Sequence, residues 1–147
     1  MPQPLPRRSL LLALAAAACG HASPSWAREL SDADLRAVRA TIEAQLKAFA
    51  ADDAVRAYSL AAPAIRSQFG SAQNFLAMVR EAYPVVYRPA STAFFKPEWV
   101  DDTVRQVVQM RDSAGRTWLA TYQLQRQPDK AWRISGCAVL PDEGKAT

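Results

Sequence analysis

Between Leu35 and Phe49 the apolar positions fall at Leu35, Val38, Ile42, Leu46 and Phe49, spaced by three and four, which is the period of one helix face. Arg36, Arg39, Glu43 and Lys47 lie off that stripe. The pattern predicts a helix over Asp32–Ala50 that packs by one side and covers a sheet. Ser31 followed by Asp34 is a capping-box variant that starts it, with the acid well placed in the first turn. Asp52-Asp53 interrupts the stripe, and Asp52 is the expected cap of a short second helix ending near Leu60. Ala62-Pro63 breaks the chain again before one or two helical turns from Ala64 to Phe69. Gly70 then acts as a stop and Ser71 as the next cap. Phe75, Leu76, Met78 and Val79 form the inward face of a further helix. Pro84 ends it by biasing Tyr83 towards extended geometry.

After Pro84 the period changes. Val85 to Tyr87 suits a short strand closed by Pro89, and Thr92 to Phe95 a second, limited by Pro97. Val104 to Met110 alternates except at Val107, as a strand partly covered on both faces does. Asp112-Ser113-Ala114-Gly115 is a turn leading into Thr117–Leu124, which is rich in strand formers. Gln127-Pro128-Asp129-Lys130 turns the chain again into a last strand, Trp132 to Leu140. Helices come first and an antiparallel meander follows, which defines an α+β fold rather than a parallel α/β one. No internal repeat is present.

The first thirty residues follow a different logic. "LLLALAAAACG", Leu10 to Gly20, sits behind Arg7 and Arg8. The nine apolar residues Leu10–Ala18 would make about 14 Å of helix, far short of the roughly 30 Å hydrocarbon core. They have no polar face either, so the segment reads as an export signal over residues 1–18. Cys19 follows Ala16-Ala17-Ala18 directly, at the position where a lipoprotein signal places its acylated cysteine; Ala16 stands where that pattern prefers Leu. Ordinary cleavage after Ala18, Ala22 or Ala27 is the alternative. Residues 19–30, with Pro24, read as a tether, residues 31–141 as one domain, and 142–147 as a polar tail. The expected location is the periplasm or cell envelope, with the membrane reached only through the lipid on Cys19.

Charge excludes more than it selects. The chain has 18 basic and 14 acidic residues, a net of +4. Without residues 1–18, which carry Arg7 and Arg8, it keeps 16 and 14, a net of +2. Its basic residues are scattered, and this is no footprint for nucleic acid. The single histidine, His21, falls in the tether, so the domain has no imidazole for a Ser-His-Asp site or a His-based metal centre. With Cys19 acylated or removed, Cys137 is alone, and neither a redox pair nor a disulfide framework is implied. No metal and no cofactor is expected. Among the carboxylates, Asp101 and Asp102 are expected to be exposed in a loop after Trp99. The aromatic set is more suggestive: Tyr83, Tyr87, Phe94, Phe95, Trp99, Trp118, Tyr122 and Trp132 crowd the later chain. Such side chains can pack a sheet core or line a concave pocket. In a pocket, Trp118 and Tyr122 would supply the walls, and Gln109, Tyr122 and Ser135 the polar handles.

Three stretches carry a resemblance: "FAADDAVRAYSLAAPAIRSQFG", "FLAMVREAYPVVYRP" and "WRISGCAVLP". Over Ser31 to Pro141 the chain resembles the domain-of-unknown-function family DUF4864, in the NTF2-like or cystatin-like α+β group. The resemblance implies N-terminal helices packed on a curved antiparallel sheet that encloses a cone-shaped cavity. It implies structural roles for Asp52, Asp53, Pro63, Ile65, Phe69, Gly70, Tyr83, Pro84, Trp132, Ile134, Gly136 and Cys137, and it places Tyr87 and Arg88 at the cavity mouth. It also implies a homodimer formed through the sheet.

Three functions follow as expectations. The first is a binding or accessory domain of the envelope with a small apolar ligand in its cone. The second is an isomerase- or hydrolase-like enzyme using a buried carboxylate or tyrosine. The third is a protein-interaction module whose cone is filled. The N-terminal reading is directly measurable. The intact mass of the protein extracted from the envelope is expected to fit a chain starting at a diacylglyceryl-bearing Cys19, and an unmodified start at Ser23 or Arg28 overturns it.

Overall fold

The computed structural model describes residues 28–144. The expected signal segment, Cys19 and most of the tether lie outside the described residues. The helix α1, Asp32–Ala50, starts where the Ser31 hydroxyl accepts a hydrogen bond from the Asp34 backbone N–H at 3.1 Å. Val38, Ile42, Leu46 and Phe49 are all buried on its inner face. The next cap is Asp53, not Asp52: its side chain accepts from the Arg56 N–H at 3.0 Å and opens α2, Ala54–Ser59. Asp52 instead takes a left-handed backbone, φ 53°, which Asp tolerates better than most residues. The helix α3, Pro63–Phe69, stops at Gly70 with φ 74°, where a side chain would be strained. Ser71 caps α4, Ala72–Ala82, by accepting from Asn74.

The expected strand at Val85–Tyr87 is instead a helical turn, α5, Pro84–Tyr87. Proline is pre-shaped for the first position of a helix, and the Val86 and Tyr87 N–H groups both donate to the Tyr83 carbonyl at 3.0 Å. Burial decides it. Val85 and Val86 are both in the core, and a strand would point such neighbours to opposite faces.

The sheet holds β1, Ser91–Phe94; β2, Glu98–Val100; β3, Thr103–Arg111; β4, Thr117–Arg126; and β5, Trp132–Pro141. All neighbours are antiparallel, in the order β1-β3-β4-β5, and β2 pairs with β3 on the same side as β1. The short β2 has no counterpart among the expected strands and leads into the turn that carries Asp101 and Asp102; its pairing with β3, including an ion pair between Glu98 and Arg105, makes it a strand. The inner face carries Val104 opposite Leu124 and Val108 opposite Ala120, all at 0% exposure. Gln106 shares this parity. Its buried amide donates to the carbonyls of Phe95 at 2.6 Å and Val107 at 2.9 Å, so an inward polar group is satisfied.

The expected NTF2-like cone does not form, because the sheet is not curled or closed. Its path ends in two separate edges, β1 with β2 on one side and β5 on the other. The β4–β5 ladder has one irregularity, at Gln123/Leu124, where Ser135 is the extra residue. One bulge bends a strand pair locally, and closure needs such bends repeated. The space a cone would enclose is filled: Ile42, Phe49, Val79 and Val86 join the sheet in one buried cluster, leaving a cavity of about 60 Å³.

Ile42 is central to this packing and fully buried. Ile42→Ala is expected to lower unfolding stability by about 2–5 kcal/mol in urea titrations. A loss under about 1 kcal/mol would show that α1 does not form the core through this face.

Candidate ligand-binding groove

A groove of about 370 Å³ lies between the α4–α5 junction and the β3–β4 turn. Tyr83, Pro84 and Val85 form one wall, held there by the proline-initiated turn. The other wall is organised by Asp112. Its Oδ1 accepts from the Ala114 and Arg116 N–H groups, each at 2.9 Å. Its Oδ2 accepts from Trp118 Nε1 at 2.9 Å and Arg116 Nε at 3.2 Å. The indole hydrogen bond, more than any other contact, holds the Asp112 carboxyl below its usual range. The same bond fixes the indole plane against the groove. The Arg116 guanidinium lies 5.3 Å from the centre of that ring, within cation–π range. Val139 and Arg88 complete the lining.

Arg88 is tied to the corner between α1 and α2. Its Nη2 donates to Asp52 Oδ2 at 3.2 Å and to the Ala50 carbonyl at 3.4 Å. The Tyr87 hydroxyl donates to Asp52 Oδ1. This hydrogen bond to a carboxylate, chiefly, raises the Tyr87 phenol above its ordinary value. The left-handed Asp52 thus presents its carboxylate to α5 instead of capping a helix.

A second space lies inside. The cavity of about 60 Å³ between helices and sheet is bounded by Gln45, Phe49, Tyr83, Tyr122 and Cys137, among others. Gln45 donates to the Ala57 carbonyl at 3.1 Å and so links α1 to α2. Tyr122 and Cys137 face each other across β4 and β5. The buried Tyr122 hydroxyl has no hydrogen-bond partner of ordinary geometry, and the thiol stands beside it. Burial raises the Tyr122 phenol well above its usual value and pushes the Cys137 thiol up to about 12. Both stay protonated at neutral pH, so neither supplies a base or a nucleophile there. Tyr83 borders both the cavity and the groove.

The residues expected to bind a ligand are therefore spread over several places. Arg88 and Trp118 share the groove, and Tyr87 stands beside Arg88 on Asp52. Tyr122 lines the inner cavity. Gln109 has the opposite strand parity to Gln106 and Tyr122 and donates to Asp142 Oδ2 at 2.8 Å. Ser135 sits in the bulge with its Oγ buried and without a partner. Asp101 and Asp102 are exposed in the β2–β3 turn. Asp112 and Arg116 were not anticipated as part of a site. Their signal is an Asp opening a Gly-containing turn, with an Arg four residues on and a Trp six residues on. Among the described residues, no three His, Cys, Asp or Glu side chains are placed to hold a metal ion.

An α+β domain with helices on one face of an open antiparallel sheet, and a groove at their junction, is the class that this geometry defines. The chain belongs to the family described as domain of unknown function (DUF4864), whose model matches residues 31–147. That membership is consistent with the wider NTF2-like group in helix-then-sheet order. No curated protein matches the chain, and no solved structure does.

The Cys137 thiol, on a half-buried residue, sets a pH dependence. Its ordinary value is 9.0 and its folded value about 12, so the folded state holds a proton that the unfolded state has released. Stability is therefore full below about pH 9 and falls as pH rises towards about 12, by up to about 1.4 kcal/mol per pH unit. Urea unfolding between about pH 8 and about pH 11 checks this, and Cys137→Ala is expected to flatten the first part of the decline. A slope unchanged in that variant would sink the assignment.

Proposed function

We propose that the protein is an exported small-ligand-binding domain, held at the cell envelope by a lipid on Cys19, which takes its ligand in the groove between α4–α5 and the β3–β4 turn. The basic and apolar pattern of residues 1–20 supports export and tethering. The groove carries the binding reading. Its volume of about 370 Å³ lies within the range of small-molecule sites, roughly 300–1,000 Å³, and an indole and two guanidiniums converge on it. The interior offers only about 60 Å³, so the ligand's place moves from inside the fold to its surface.

An isomerase- or hydrolase-like reading has less support. It needs a carboxylate or tyrosine facing the substrate in a usable protonation state. Tyr122 faces the small inner cavity as a neutral phenol. Asp112, the groove's carboxylate, accepts four hydrogen bonds and sits below its usual pKa range, which suits a structural anchor better than a general base.

A mixed library of neutral, anionic and cationic aromatic fragments, followed by two-dimensional amide NMR, tests the location. Shifts are expected to cluster at Tyr83, Val85, Arg88, Arg116 and Trp118, and Trp118→Ala is expected to weaken the binding at least tenfold. A library that leaves these signals in place, or that moves a different surface, would overturn the proposal.

A further inference from the structure

The geometry points to a ligand class for this groove: a small organic carboxylate with a flat or apolar body, its head held by Arg88 and Arg116 and its body lying on Trp118 and the Tyr83–Val85 wall. This inference rests on the ligand-binding reading above and specifies it. Charge is the first argument. Two guanidiniums line the groove against one carboxylate, Asp112, and that carboxylate is already met by four donors. Asp52 on Arg88 brings the charges of the two pairs into balance, so selection of an anion rests on the guanidinium N–H donors that the two pairs leave free.

Donor accounting is the second argument. Arg116 uses Nε on Asp112, and no described residue accepts from its two terminal nitrogens. Arg88 uses Nη2 on Asp52 and Ala50, and no described residue accepts from its Nη1. A guanidinium carries five N–H donors in a planar fork that fits a carboxylate, so both residues retain the donors such a head requires. Each also already meets one carboxylate of the protein itself, Asp52 for Arg88 and Asp112 for Arg116.

The walls supply the third. Tyr83, Pro84, Val85, Trp118 and Val139 are carbon-rich, and the bond from Trp118 Nε1 to Asp112 leaves the indole ring, rather than its polar edge, to meet a ligand. A bare inorganic anion would leave that surface in water. A neutral aromatic would leave the guanidinium donors to solvent.

The test compares phenylacetate, benzoate and hexanoate with their neutral amides on the purified full-length protein, following the Trp118 indole N–H and the Tyr83 and Arg116 amides by NMR. Each acid is expected to shift these signals to saturation at a concentration at least tenfold lower than its amide. Arg88→Gln and Arg116→Gln are each expected to weaken the acids roughly tenfold, as loss of a charge-assisted hydrogen bond does, and to weaken the amides, whose carbonyl accepts only a neutral acceptor's share of that bond, by a much smaller factor. Melting temperatures check that each variant folds, and Arg88→Lys keeps the charge at the corner while removing the fork. Equal affinity for acid and amide would overturn the carboxylate assignment and leave the ligand-binding reading standing. A response to inorganic phosphate as strong as to phenylacetate would overturn the role of the apolar wall. Silence towards every probe would overturn both readings.

Discussion

Burial of one face of α1 is the contact on which the other elements depend. Val38, Ile42 and Phe49 are almost wholly removed from water, and the cluster they enter reaches from the short helices to the inner face of the sheet. Each such side chain contributes about 1.5–3 kcal/mol by leaving water, so this face fixes where the sheet lies against the helices. The shorter helices then pack around α1. Phe75 of α4 meets Phe49, Tyr58 and Phe69 at ring separations of 5.6–5.9 Å, which joins four helices at one aromatic centre. The groove arises where this packing ends, between α5 and the β3–β4 turn.

Two surface aspartates do the local shaping that hydrophobic burial cannot. Asp112 draws the β3–β4 turn, an arginine and an indole onto one carboxylate. Asp52 draws α5 towards the α1–α2 corner through Tyr87 and Arg88. Asp52 is exposed, Asp112 is partly covered and its partner Arg116 is exposed, and ion pairs at the surface add little stability. Their effect is directional. They set which way Trp118 and Arg88 point, and it is direction that a binding site needs.

Much of the fold was legible in the sequence. The α1 stripe, the Gly70 stop, the Ser71 cap and the meander from Val104 onward all follow from local periodicity and turn chemistry, and the structure reproduces them. The failures share a cause. Val85–Tyr87 has strand-forming residues, but tertiary burial of both valines overrides that preference. The three residues of β2 are set by pairing with β3, which no local pattern encodes. The expected cone came from likeness to a broad group, and sheet closure is a long-range property of register and bulges. The site was legible only in pieces. Arg88 and Trp118 stood out as residue types, whereas their meeting depends on a turn 24–30 residues further along the chain than Arg88. Gln109 and Tyr122 were separated by strand parity, which a register of one residue decides.

The last strand has a consequence for how the molecule behaves in company. An outermost strand offers a row of unpaired N–H and C=O groups on which another chain can build. Here the α2–α3 link occupies part of that row: the Ile134 N–H donates to the Leu60 carbonyl at 2.9 Å, and the Ala62 N–H donates to the Ile134 carbonyl at 2.7 Å. Pro141, which has no N–H to offer, ends the strand at the far side. The run between them, Ser135 to Leu140, is uncovered by the α2–α3 link, and Leu140 within it is 67% exposed. The α2–α3 link thus blocks strand addition at the start of β5, and an added strand would have to pair with the edge beyond Ile134.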